Sequence, residues 1–232
     1  MRYGWRRLLL CFALPGLLAR VLGGRGTRYI EAFLWLDLVF LVANVVVDRG
    51  LKEGVRRLPE EMGLTPVRQE RRHLALWPGL GVAWAFVLTA VTPRIATLVQ
   101  RASQQPAGRF LNWTPILVDW FPADHSFRRI MLYYLPLNIV AEECYIHGLL
   151  WSRMAWLGRW RPIANAAAWA FYHFNRPVKD MAGAILPATL LASYTRAQSQ
   201  NVYVTAVGHY ASNAFFSWRA LQDMRSGREQ SP

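Results

Sequence analysis

Seven blocks of apolar residues, divided by arginine-rich gaps, limit what this chain can fold into. They cover 8–22, 29–47, 74–99, 130–151, 162–174, 181–194 and 202–218. A helix needs roughly 20 mainly apolar residues to cross a hydrocarbon core of ~30 Å. Three or four blocks reach that length, and the shorter ones are interrupted by Pro, Gly or a polar residue. Burying all of them inside a soluble domain would take more amphipathic covering helix than 232 residues supply. The expected fold is all-α, a polytopic membrane helix bundle with about seven (six to eight) transmembrane helices.

The net charge of +13 raises the question of nucleic acid. Arg and Lys gather in the gaps between blocks and not along one face, so no nucleic-acid partner is expected. The gap 49–72 holds Arg49, Lys52, Arg56, Arg57, Arg68, Arg71 and Arg72. Short loops rich in these residues stay cytoplasmic, and MRYGWRR favours a cytoplasmic N-terminus. The gap 100–126 sets only Arg101 and Arg109 against Asp119 and Asp124, and carries Trp113, Trp120 and Phe121, aromatics suited to a membrane interface. It reads as an outside loop. Arg153, Arg159 and Arg161 mark the return to the cytoplasm, whereas Arg219, Arg225 and Arg228 in the tail would fall outside. The charge rule disfavours that, so one span is in question, around 110–121.

The first 19 residues also have the look of a signal peptide. Ala19 is followed by Arg20, Val21 and Leu22, which is no small-x-small cleavage site, so this segment reads as a retained first span. Cys11 and Cys144 both lie inside apolar blocks and imply no disulfide framework. The chain divides by texture into N-terminal membrane helices with a basic cytoplasmic loop (1–73), a membrane helix with the outside loop (74–126), a core (127–218) and a polar tail (219–232). In the first part few polar side chains, Glu31, Asp37 and Asn44 among them, interrupt the apolar blocks.

The core is different, because ionisable and amide side chains recur inside its apolar blocks. Such groups are costly against lipid and normally face a bundle interior or a water-filled cavity. They are Asn138, Glu142, Glu143, His147, Asn165, His173, His209 and Asn213. Glu143 and His147 are four apart and share a helix face, as do Trp169 and His173, and His209 and Asn213. Glu142 lies about 100° round the helix from Glu143, so the two acids point to different places. With ~1.5 Å per residue, Glu142, His173 and His209 all sit ~14–18 Å from the cytoplasmic surface, a common level near mid-membrane. Asn138 and Asn165 read as hydrogen-bonding glue between helices. A thiol nucleophile at Cys144, three residues from His147, is a minor option.

These residues carry a resemblance. Glu142-Glu143-Cys144-Tyr145-Ile146-His147, then Trp169-Ala170-Phe171-Tyr172-His173, then His209-Tyr210-Ala211-Ser212-Asn213 resemble the ordered motifs EExxxR, FxxxH and HxxxN of the CAAX-protease and bacteriocin-processing (CPBP) family of intramembrane endopeptidases. The likeness covers roughly 127–218 and departs at two positions: His147 stands in place of Arg, and Trp169 in place of Phe.

The resemblance implies a membrane-bound endopeptidase that hydrolyses a peptide bond in a membrane-anchored protein or peptide, near a C-terminal tail or leader. Glu142 would be the base that activates water, helped by His173, with His209 and Asn213 donating to the oxyanion. Glu143, His147 and Trp169 would support them. A carboxylate kept from bulk water suits a base working near neutral pH. The expectation is metal-free, with zinc on Glu143, His147, His173 and His209 as the alternative, since no HExxH spacing is present. The expected location is a bacterial inner membrane, crossed several times. Competing readings are a catalytically silent relative acting as a scaffold or immunity-like binding protein, and a proton-coupled transporter. Duplicated halves, common in transporters, are absent from the sequence.

Overall fold

A computed structural model describes residues 4–23, 27–64, 76–112, 127–173 and 177–229. Loop residues singled out above (Arg68, Arg71, Arg72, Trp113, Asp119, Trp120, Phe121 and Asp124) lie outside these ranges.

All the regular structure among the described residues is helical. The helices are α1 (Trp5–Gly23), α2 (Thr27–Arg49), α3 (Leu51–Glu61) and α4 (Leu76–Ser103), which runs on to a 3₁₀ turn at Pro106–Asn112. Then come α5 over 127–153, α6 (Arg161–Tyr172), α7 over 178–199 and α8 (Val202–Glu229). Seven of these carry the apolar blocks. The eighth, α3, was not anticipated: the charged gap after α2 folds into an amphipathic helix, not a loop throughout. Helix α8 likewise continues to Glu229, so much of the polar tail is helical.

Among the described residues, two segments are long and apolar enough to cross a membrane on their own, Arg28–Arg49 and Gly79–Ser103. At 12 residues α6 is only about 18 Å long, well short of a hydrocarbon core. Many large apolar side chains nevertheless point out of the bundle. Phe86 is 72% exposed and Leu132 67%, an outer surface of the kind that meets lipid.

Proline shapes α5 and α7 in the same way. Pro136 is separated from the π-helical stretch Ile130–Tyr134 by Leu135 alone, and Pro187 stands in the same relation to Met181–Ile185. A proline ring collides with the carbonyl four residues earlier and offers it no N–H. A widened turn before the ring accommodates that carbonyl without ending the helix. The reversal from α5 to α6 passes through Gly158, whose φ of 54° suits a residue without Cβ.

Glycines also set the helix spacing. A Cβ on Gly208 of α8 would run into the Trp84 ring of α4, and one on Gly148 of α5 would strike the Met62 carbonyl at the end of α3. An apolar core joins α1, α2, α5 and α6 through Phe12, Phe33, Ile146, Leu149 and Tyr172. The Phe33 and Tyr172 rings lie 4.5 Å apart.

The polar residues of α2 are tied to other helices on both sides of it in the chain. Tyr134 donates to Glu31 at 2.8 Å, Tyr172 donates to the buried Asp37, and Asn44 accepts from Arg7 at 3.0 Å. At one end of the bundle Arg153 of α5 binds Asp48 of α2 at 3.1 Å and Glu61 of α3 at 2.7 Å. Arg7 of α1 also reaches Asp48, and Arg49 reaches Glu61. Removing the central cation would leave two buried acids undercompensated, a change that typically costs about 3–5 kcal/mol. Arg153→Met should therefore lower the thermal midpoint in detergent sharply. Arg56→Ala, which breaks an exposed pair with Glu53 on α3, should leave it unchanged.

Candidate active site

The two adjacent acids sit where α5 changes its winding. Glu142 ends an α-helical stretch, Leu135–Glu142, and Glu143 opens a π-helical one, Glu143–Leu150. Such widened turns are frequent at functional sites. Each carboxylate is only 1% exposed, and each faces its own set of donors.

Glu143 is enclosed by three. Its Oε2 accepts from Thr205 at 2.6 Å and pairs with Nδ1 of His147 at 2.8 Å, while Oε1 pairs with Nδ1 of His209 at 2.9 Å. An ionised carboxylate can accept all three. His147 is fully buried, and its Nε2 has no hydrogen-bond partner among the described residues.

Glu142 has a donor on each oxygen and an open side. Asn138 Nδ2 donates to Oε1 at 2.6 Å, and the Trp169 indole N–H donates to Oε2 at 3.1 Å. Asn138 in turn accepts from Asn213 Nδ2 at 3.0 Å. A chain of amides thus runs from α8 through α5 to the carboxylate. The ring of Trp169 meets His147 and His209 edge-on, with centroids 4.7 and 5.4 Å away.

A cavity of about 370 Å³ opens beside Glu142. Glu142, His173, His209 and Asn213 all line it, together with Asn138 and Trp169. The rest of its lining is mostly apolar, with Trp84 and Leu88 of α4, Ile185 and Ala188 of α7, and Phe216 of α8, beside the polar Thr92, Asp180, Thr189 and Ser212. His173 stands at the C-terminal end of α6, with Nδ1 turned back onto the Trp169 carbonyl at 2.9 Å. Glu143 and His147 lie behind the wall formed by Glu142, Trp169 and His209, and do not line the cavity.

One residue does more than its sequence reading assigned. Asn138 is no passive glue: it bridges Glu142 and Asn213 within the cavity wall. Its i,i+4 spacing to Glu142 was the signal. Asn165 does serve to join helices, donating to the Ile146 carbonyl and accepting from Ser193 at 2.9 Å. Thr205 escaped notice because a threonine in an apolar helix carries no signal of its own. His147 and His209 direct Nδ1 at Glu143, and His173 turns Nδ1 to a backbone carbonyl, so each ring keeps Nε2 for another partner. No three His, Cys, Asp or Glu side chains are grouped to hold a metal ion among the described residues. Cys144 is buried, and no bond joins it to His147.

Residues 125–215, about two fifths of the chain, match the family model described as Rce1-like, type II CAAX prenyl endopeptidase Rce1-like. The matched segment contains all three motifs and both departures from them. No curated protein and no solved structure matches the chain.

The amide chain makes Asn138 a testable link. Asn138→Leu strips one donor from Glu142 and leaves Asn213 without its acceptor. Each unmet buried group costs about 1–3 kcal/mol. The variant should lose thermal stability in that range, as measured by a denaturation midpoint in detergent.

Proposed function

From the match of residues 125–215 to the type II CAAX prenyl endopeptidase family model, we propose that this chain is a multi-pass intramembrane endopeptidase in which Glu142 activates water. Its substrate is a membrane-anchored protein or peptide, cut near a C-terminal tail or leader. The observation that carries this reading is the cavity itself: a buried carboxylate with an open side, flanked by two histidines and an amide from other helices.

The chemistry follows from the donor set. Asn138 and Trp169 fix the plane of the Glu142 carboxylate, leaving lone pairs for a water in the cavity. Glu142 takes a proton from that water as the oxygen attacks the scissile carbonyl carbon. His173 holds the water from the far side. The developing oxyanion accepts from Asn213, whose Nδ2 has a second hydrogen beyond the one given to Asn138, and from Nε2 of His209 in its doubly protonated form. Glu143 on Nδ1 compensates that imidazolium charge. Collapse of the tetrahedral intermediate breaks the C–N bond, and Glu142 returns its proton to the leaving amine. The apolar wall of Trp84, Leu88 and Phe216 supports binding of a lipid-proximal segment and keeps bulk water out.

The test is cleavage of a prenylated, membrane-anchored peptide by the purified protein, compared with Glu142→Gln. Loss of the base should lower kcat about 10²–10⁴-fold, the usual contribution of general acid–base catalysis, and a metal chelator should leave the wild-type rate unchanged. Cleavage that survives Glu142→Gln contradicts the assignment. Loss on chelation restores zinc chemistry, and binding without cleavage by the wild type identifies a silent relative.

A further inference from the structure

Trp169 makes a contact that its counterpart in the family motif cannot make. The indole N–H reaches Oε2 of Glu142 at 3.1 Å, whereas a phenyl ring carries no donor. The same indole lies against His147 at 85° and 4.7 Å between centroids. His147 and Trp169 are the two positions at which this chain departs from the motif, and they touch.

We propose that Trp169 is a positioning residue for Glu142 and that His147 makes room for it, so that the two departures form one coupled unit. Arginine at 147 would bring a longer side chain and five N–H donors in place of the two ring nitrogens of histidine. Here Nδ1 of His147 is committed to Glu143, and Nε2 finds no hydrogen-bond partner among the described residues. The volume and the donor missing at 147 reappear at 169 as a larger ring with an N–H. His147 and His209 meet that ring edge-on and His173 stands 6.5 Å off, so its movement away from Glu142 is restricted on those sides. Side chains packed at interior density leave little room for a change at one position alone. The catalytic consequence rests on Glu142 being the base. The coupling between 147 and 169 does not.

A double-mutant cycle on the full chain separates the two parts: wild type, Trp169→Phe, His147→Arg and the double variant. Three readouts apply to each: kcat and KM on the anchored peptide, the thermal midpoint in detergent, and the infrared carboxylate stretch assigned with Glu142→Gln. Trp169→Phe should lower kcat about 10- to 100-fold, as expected for loss of a hydrogen bond to a charged group, with KM nearly constant and the Glu142 band shifted. His147→Arg alone should lower the midpoint, because the guanidinium is forced against the indole. The double variant should recover midpoint and kcat beyond either single change. Additive effects, or a Trp169→Phe variant with unchanged kcat and band, would overturn the proposal. If the wild type cleaves no peptide, the proteolytic reading fails, while the band and the midpoint cycle still decide the coupling.

Discussion

Two adjacent carboxylates in an apolar bundle are the constraint on which the rest of this structure depends. Neighbouring residues on a helix diverge by about 100°, so one partner cannot serve both. Glu143 is satisfied inward by Thr205, His147 and His209. Glu142 is satisfied sideways by Asn138 and Trp169, which leaves one side of it on the cavity. A buried ion without such partners costs several kcal/mol. The positions of α6 and α8 against α5 are therefore fixed by hydrogen bonds as much as by packing.

The segment outside the family match braces this arrangement. Asp37 of α2 receives Tyr172, the residue beside His173, and Glu31 receives Tyr134, one helical turn before Asn138. Arg153, Asp48 and Glu61 lock the far end of α5 to α2 and α3. Helix α4 supplies apolar lining to the cavity beside Glu142 and is brought close to α8 by Gly208 beneath Trp84. A side chain two helices away can thus alter the geometry at Glu142 without lining the cavity.

Much of this was legible in the sequence because helical winding brings residues four apart onto one face, and it does so even through the π-helical stretch Glu143–Leu150. The i,i+4 pairs Glu143/His147 and His209/Asn213, and the divergence of the two acids, follow from 3.6 residues per turn. The apolar blocks located the long helices. What stayed hidden depends on partners far apart in the chain. Asp37 looked like an isolated acid until Tyr172, 135 residues later, was placed beside it. Arg153 looked like a loop charge marking a membrane face, yet it is 2% exposed among acids of α2 and α3. Helix α3 hid within a run of charge whose apolar residues are too few to stand out. The contact between His147 and Trp169 lies between helices, and neither motif discloses it.

The most direct measurement is a structure of the Glu142→Gln protein with an uncleaved anchored peptide bound. The account predicts the scissile carbonyl oxygen within hydrogen-bond distance of His209 and Asn213, with its carbon turned toward residue 142 and the anchored segment along Trp84, Leu88 and Phe216. A peptide bound outside this cavity, or lying in it with the scissile carbonyl directed away from His209 and Asn213, would contradict it.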